Sequence, residues 1–156
     1  MKSFYDMVRA FHERFSFPIG QSLNAFPDKE AWYANKVMRN CSSLLNVMQQ
    51  ELDETNRSDL RAVRLRLIVE ELRELTDALR AKDEVETADA VADLCYVVVG
   101  TAVAFGLPLD ALFVEVHRSN MIKTQDGQLK PAKGHGFSSP SIRQVLKDHA
   151  KNGGGA

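Results

Sequence analysis

The sequence predicts an all-α protein, because apolar residues recur at helical spacing along most of the chain and strand-like alternation is almost absent. Glycine, proline and polar clusters divide the periodic stretches, as expected for short connections between helices. The longest apolar run, 94–109, contains Val97-Val98-Val99 and extends well past the usual length of a strand. We therefore expect an antiparallel helix bundle.

Periodicity and end signals together predict where the helices begin and end. Ser58 is a candidate N-cap, and Asp83 followed by Glu86 has the spacing of a capping box. Gly106 is a candidate C-terminal stop, and Ser139-Pro140 combines an N-cap with a proline at the first helical position. These signals predict helices over about 3–15, 28–54, 58–80, 83–105, 109–118 and 140–151.

Length and charge set limits on the class of protein. A chain of 156 residues suits one domain, which we place at 1–151 with a flexible tail at 152–156. Its 21 acidic and 20 basic residues nearly balance, so no global field favours nucleic acid or an anionic membrane as a partner. The N-terminus has no continuous apolar segment typical of a signal peptide, which favours a cytoplasmic protein.

The run 94–109 is interrupted by glycines and falls short of the roughly 20 apolar residues that a membrane span needs. We interpret it as a buried core helix. Cys95 within it is then expected to be a small buried thiol.

The helix predicted over 58–80 carries three glutamates on an apolar face. Glu70, Glu71 and Glu74 lie within an arc of about 100°, and apolar side chains share that arc. A second apolar stripe follows the other side of the helix, which predicts burial on two faces. A solvated face of Glu–Arg pairs is the alternative, and the interleaved apolar positions Val63, Leu67 and Ala78 argue against it.

The next predicted helix repeats this pattern. Glu86, Asp89 and Asp93 lie within about 60° of one another, and the helix is apolar on all sides beyond residue 90. We therefore expect Asp93 to be shielded from solvent. The connection around Lys82 is so short that the two helices are expected to pack antiparallel.

In this antiparallel hairpin, Glu71 and Glu74 are expected to face Asp89 and Asp93. Carboxylates in an apolar interface cost several kcal/mol each unless a positive charge neutralises them. No histidine or cysteine lies on either acidic arc, which favours Mg²⁺, or Mn²⁺, over Zn²⁺.

Magnesium held by carboxylates usually completes its shell with water and substrate phosphates, so phosphoryl chemistry is the natural inference. A di-iron bundle would need Glu-x-x-His pairs, which neither helix contains. A purely structural ion remains an alternative.

A basic segment after the fifth predicted helix offers phosphate-binding groups. Arg118, Lys123 and Lys130 supply charged donors, and Asn120 adds a neutral one. Cations near a helix C-terminus also complement the helix dipole, which is the alternative reading of this segment.

The acidic residues resemble a known signature. Glu70-Glu71-x-x-Glu74, a short spacer and Asp89-x-x-x-Asp93 resemble the all-α nucleoside triphosphate pyrophosphohydrolases of the MazG and phosphoribosyl-ATP pyrophosphatase-like superfamily. The phosphoribosyl-ATP pyrophosphatase-like branch is the more similar one, on the segments 89–97, 113–123 and 126–131. The resemblance is loose over 1–17 and good over 60–134, and we find no counterpart for 28–57.

The resemblance implies Mg²⁺-dependent hydrolysis of a (d)NTP to the (d)NMP and pyrophosphate, a reaction of nucleotide-pool housekeeping. Carried over by position, it makes Glu71, Glu74 and Asp93 metal ligands, with Glu70 a further ligand or the base that activates water. Arg118 and Lys123 would stabilise the leaving pyrophosphate. It also implies a homodimer or homotetramer whose sites take residues from two chains.

One departure from the superfamily pattern concerns its second motif, Glu-x-x-Asp. Ala90 stands three residues before Asp93, and the nearby acid is Asp89. We favour Asp89 with Asp93 as the ligand pair over Glu86 with Asp89. Beside the enzyme, a non-catalytic helical metal-binding or protein-interaction module remains the alternative function.

Overall fold

The computed structural model describes residues 3–20, 32–54, 58–125, 131–151 and 153, and at residue 32 only the backbone. Within them the chain forms six helices, and its one β-bridge is the isolated antiparallel pair Thr124–Ala132. Val97–Val99 lie inside a helix, so the all-α prediction is confirmed. The helices are α1 (Phe4–Arg14), α2 (Trp32–Asp53), α3 (Leu60–Ala81), α4 (Glu84–Ala104), α5 (Leu109–Met121) and α6 (Ile142–Lys151).

The ends of the central helices follow local capping chemistry. The Asp83 carboxylate accepts the N–H groups of Val85 and Glu86, each at 3.0 Å, so the predicted cap at this position is confirmed. The reciprocal bond of a capping box is not formed, because the Asp83 N–H donates to the Ala78 carbonyl oxygen. Gly106 has a φ of +62°, as a helix stop requires. The predicted cap Ser58 is wrong by one residue, because the N-cap of α3 is Asp59, whose carboxylate accepts the Arg61 N–H at 2.9 Å.

Two further ends differ from the sequence prediction. Helix α5 continues to Met121 instead of ending near Arg118, which places residues 119 and 120 in its last turn. Helix α6 begins at Ile142, two residues after Pro140. The predicted tail at 152–156 and the predicted helix start at 28–31 lie outside the described residues, Gly153 excepted.

The chain divides into two compact units, and one of them contains α2, α3 and α4. Helix α3 packs along both neighbours. Ser42 Oγ of α2 donates to Asp77 of α3 at 2.9 Å, and Asp53 near the end of α2 pairs with Arg66 near the start of α3. These two contacts run in opposite chain directions, so α2 and α3 are antiparallel.

The other unit contains α1, α5 and α6. The rings of Phe4 and Phe113 stack with their centroids 4.1 Å apart, which joins α1 to α5. Glu115 of α5 accepts the N–H of Ser141 at 2.7 Å, and this bond joins α5 to the start of α6. The division into two units leaves the single domain at 1–151 a prediction.

Helix α4 is far more exposed than the sequence predicts. Tyr96 and Val103 are 80% and 76% exposed, and Cys95 is exposed as well. The expectations of a buried core helix and a buried thiol are therefore wrong for the single chain. Among the described helices α4 also has the length and apolarity of a membrane span, which is weak evidence because core helices of soluble proteins pass the same test.

Candidate active site

The turn between α3 and α4 reverses the chain in two residues. Lys82 lies in the left-handed region with a φ of +58°, and its N–H points to the carbonyl groups of Ala78 and Leu79. The Asp83 N–H donates to the Ala78 carbonyl oxygen at 3.1 Å. This pattern ends a helix sharply and satisfies its last carbonyl groups. The predicted short connection is confirmed.

Arg64 defines the register between the two antiparallel helices. Its Nη2 donates to the Val97 carbonyl oxygen at 2.7 Å, and its Nε donates to Thr101 Oγ1 at 3.2 Å. Glu71 lies seven residues, about two turns, further along α3. Because the helices are antiparallel, the part of α4 that lies level with Glu71 is about two turns before Val97 and Thr101. This part of α4 contains Asp93.

One further turn along, Glu74 lies level with the part of α4 that contains Asp89. The hairpin therefore brings the two acidic segments to the same level, as the sequence predicts. The signal that allowed this prediction was helical periodicity combined with the short turn.

Electrostatics show that the acidic side chains act on one another. Burial raises the pKa of Glu71, and the negative charges of Glu74, Asp93, Glu70 and Asp89 raise it further, in that order. Carboxylates from both helices thus contribute to the field at Glu71. A set of oxygen donors with mutual repulsion is the chemistry that a hard divalent cation neutralises.

Two of these carboxylates have arginine partners on their own helix. Glu70 pairs with Arg66 at 3.7 Å, and Glu74 pairs with Arg73 at 3.4 Å. Asp93 is exposed in the single chain, so the expected shielding of this residue is wrong at that level. Within the described ranges, no three histidine, cysteine or acidic side chains converge closely enough to hold one ion.

Arg66 is a supporting residue that the sequence reasoning did not single out. It pairs with Asp53 of α2 as well as with Glu70. The four-residue spacing of Arg66 and Glu70 was visible in the sequence, whereas the contact with Asp53 depends on the packing of α2 against α3. Helix α2 therefore helps to hold Arg66 in place beside Glu70.

The residues predicted to bind phosphate belong to the other unit. Arg118 forms a two-pronged ion pair with Glu115, with both N···O distances 2.8 Å, and donates to Ser138 Oγ at 3.1 Å. The pKa of Glu115 is lowered to about 2, first by the hydrogen bonds from Arg118 and then by the hydrogen bond from the Ser141 N–H. Arg118 is thus part of a clamp between α5 and the start of α6.

The remaining phosphate candidates lie at or beyond the end of α5. Asn120 is in its last turn, and its carbonyl oxygen accepts the Lys123 N–H at 3.2 Å. Both side chains are half-buried. Lys130 lies outside the described residues.

A helical hairpin with Glu-Glu-x-x-Glu on one arm and two aspartates level with it on the other is typical of the all-α, MazG-like nucleotide pyrophosphohydrolases. Residues 41–120 match the phosphoribosyl-ATP pyrophosphohydrolase family, and the chain belongs to that family. The suspected membership of the MazG-like superfamily is thereby confirmed, and the family is one of pyrophosphohydrolases. Neither the curated proteins nor the solved structures compared with the chain gave a match.

The matched range corrects one expectation about where the resemblance lies. It begins at residue 41, inside α2, so a counterpart exists for 41–57, where the sequence analysis found none. The matched range covers α3, α4 and nearly all of α5. The loose resemblance at 1–17 and the segment 121–134 lie outside it.

Proposed function

We propose that the protein is a Mg²⁺-dependent nucleoside triphosphate pyrophosphohydrolase that converts a (d)NTP and water to the (d)NMP and pyrophosphate. The observation that carries this proposal is the α3–α4 hairpin, in which Glu71 feels the charges of four other carboxylates from both helices. Membership of the phosphoribosyl-ATP pyrophosphohydrolase family supports the same reaction class. The proposed role is nucleotide-pool housekeeping in the cytoplasm.

The donor set fits Mg²⁺, with Mn²⁺ as a substitute, because it consists of carboxylate oxygens. We assign Glu71, Glu74, Asp89 and Asp93 as the ligands. When bound, the cation would supply charge neutralisation for the phosphates and a lowered pKa for the attacking water. Binding a cation would cost Glu74 its pair with Arg73, and this loss would be small because exposed ion pairs contribute little stability.

Glu70 is assigned as the base that takes the proton of the attacking water. Its carboxylate pairs with Arg66 at 3.7 Å, and Arg66 is in turn held by Asp53. A base must lie within reach of the water that it deprotonates. The Glu70 carboxylate can reach such a water because its pair with Arg66 is long and leaves it free to turn. Glu71 and Glu74 remain the main ligands of α3.

Phosphate binding is assigned to Arg118, Asn120, Lys123 and Lys130, on the strength of the family motif in this segment. Arg118 keeps its Glu115 pair and its Ser138 bond in this proposal, which fixes the orientation of the guanidinium for an anion. Lys123 would supply a compact positive charge for the leaving pyrophosphate. We further propose that the protein acts as a homodimer or homotetramer.

The direct test is pyrophosphate release from a panel of NTPs, dNTPs, damaged nucleotides and phosphoribosyl-ATP, with and without Mg²⁺. The wild-type protein is expected to release pyrophosphate from at least one of them only with Mg²⁺, and Glu71→Gln is expected to lose most of that activity. Glu13→Gln, which alters an exposed ion pair with Arg9 in α1, is the matched control and should keep it. Absence of Mg²⁺-dependent release across the whole panel would contradict the proposal and favour a non-catalytic module.

A further inference from the structure

Arg64 links α3 to one particular turn of α4. Its Nη2 donates to the Val97 carbonyl oxygen at 2.7 Å and its Nε donates to Thr101 Oγ1 at 3.2 Å. The Thr101 hydroxyl donates in turn to the same Val97 carbonyl oxygen at 2.8 Å. Three polar groups therefore satisfy one another inside the helix pair, and directional bonds of this kind specify one register where apolar contacts tolerate sliding.

Gly100 leaves the space in which the guanidinium lies. A Cβ atom at this position would stand 2.8 Å from Arg64 Nη2 and 3.5 Å from its Cζ. Glycine weakens the interior of a helix relative to alanine, so its presence in the middle of α4 needs a reason. The close approach of Arg64 to the α4 backbone supplies that reason.

The hydrogen bonds of Arg64 fix the position of α4 relative to α3, and they do not neutralise the charge of a carboxylate. In the part of the chain that the structure describes, no carboxylate lies within ion-pair distance of this guanidinium, and both of its bonds go to α4. The planar fork of arginine suits such a two-point contact, which lysine cannot reproduce.

The register fixed by Arg64 is the one that places Glu71 level with Asp93. Slipping the two helices by one residue would move these carboxylates apart by about 1.5 Å along the axis. The ligands of one cation must converge on it, and a slip of this size changes which carboxylates of the two helices can do so when the cation binds.

We propose that Arg64 is a positioning residue whose contact with the Val97–Thr101 turn, over Gly100, sets the register of α3 and α4 and thereby the affinity of the acidic hairpin for a divalent cation. This inference rests on the proposed function, because it concerns the same acidic residues. The inference goes further in giving a role in cation binding to Arg64, Gly100 and Thr101, which lie about two turns away from the acidic residues.

Gly100→Ala tests the proposal without endangering the fold. The new methyl group displaces the flexible end of Arg64, while alanine favours the helix. The melting temperature without metal should stay equal or rise, and the Kd for Mg²⁺ and Mn²⁺, measured by calorimetry without nucleotide, should weaken on the order of ten-fold, the lower end for residues that support ligands. If the Arg64 contact served only the stability of the fold, the Kd of Gly100→Ala for these cations would equal that of the wild-type protein.

Two threonines provide a matched pair. Thr101 and Thr76 each donate to the carbonyl oxygen four residues earlier, both at 2.8 Å, but only Thr101 also accepts a bond from Arg64. Thr101→Val should weaken cation binding, and Thr76→Val should leave it unchanged. Equal Kd values for the two variants would overturn the proposal.

Arg64→Met and the double variant with Gly100→Ala complete the experiment. The two single changes remove the same contact, so the double variant should bind cations no more weakly than Arg64→Met alone. If the wild-type protein binds no cation and releases no pyrophosphate, the proposed function fails and this inference fails with it. If the wild-type protein does both and the variants bind cations equally well, the inference alone is overturned.

Discussion

Glu115 shows how a single residue of the family motif serves the fold. Its carboxylate accepts two bonds from Arg118 and one from the Ser141 N–H at the start of α6. A negative charge at this place also complements the positive end of the α6 dipole. From the sequence we interpreted Arg118 as a phosphate ligand or as a cation that complements the helix dipole. Its pair with Glu115, three residues earlier, was visible as a local pattern, but the bond from Ser141 to Glu115 was not, because these two residues are 26 positions apart.

Replacing Glu115 by Gln should destabilise the protein in a pH-dependent manner. The pKa of Glu115 is lowered from an ordinary 4.5 to about 2, so its carboxylate stabilises the fold fully above about pH 4.5 and loses that effect as the pH falls toward 2. Glu115→Gln should therefore lower the melting temperature near neutral pH, and the difference from the wild-type protein should shrink below about pH 4. A difference that stays constant over this range would contradict the assignment, with Glu13→Gln as the control at an exposed pair.

At the scale of the elements, local signals predicted the helices and the hairpin well. The Asp83 cap, the Gly106 stop and the short connection at Lys82 are each encoded within a few residues. The ends of helices were less predictable, because Ser58 and Asp59 are both good caps, and the sequence alone does not show that Asp59 is the one that accepts the Arg61 N–H.

The candidate site was predictable to the extent that it depends on periodicity. The carboxylates of α3 and α4 share faces that can be read from the spacing of 3.6 residues per turn. The Arg64 contacts with α4 join residues 33 and 37 positions apart, and the Asp53–Arg66 pair joins two helices. Such contacts depend on the packing of whole helices, which a single sequence does not specify.

Lys82 provides an element-scale prediction about the hairpin turn. Its φ of +58° costs a residue with a Cβ atom about 1–2 kcal/mol, a cost that glycine avoids. We expect Lys82→Gly to be more stable to urea than Lys82→Ala by about 1 kcal/mol, because the two variants lose the same side-chain contacts and differ only in the backbone. Equal midpoints for the two variants would show that the left-handed turn carries no strain.

At the scale of the whole molecule, the exposed apolar side chains of α4 indicate that this helix contacts a second protein chain. Asp89, Asp93, Tyr96 and Val103 lie within an arc of about 80° of α4, so the exposed apolar stripe continues into the acidic residues. Soluble monomers rarely leave such a stripe uncovered. Apolarity in a sequence predicts that a surface becomes buried but does not distinguish burial within one chain from burial between chains.

A second copy seated on α4 would shield Asp93 as the sequence analysis expected. We therefore predict a homodimer or larger assembly by light scattering after size exclusion, and a shift toward the monomer for Val103→Glu. Tyr5→Glu, which alters an equally exposed side chain on α1, is the control. A monomeric wild-type protein would contradict this prediction, and so would a Val103→Glu variant with the same oligomeric state as the wild-type protein.

The central claim is that the carboxylates of α3 and α4 hold Mg²⁺ for pyrophosphate release, and one titration tests it most directly. Pyrophosphate release is measured against Mg²⁺ concentration for the wild-type protein, Glu74→Gln and Glu70→Gln. Glu74→Gln should need more Mg²⁺ and recover part of its rate at excess metal. Glu70→Gln should lose about 10²- to 10⁴-fold in kcat at every Mg²⁺ concentration, as expected when a base is removed.

Recovery of Glu70→Gln by excess metal would make Glu70 a ligand and leave the base unassigned. A wild-type rate that does not depend on Mg²⁺, or a Glu74→Gln curve that coincides with the wild-type curve, would contradict the account itself.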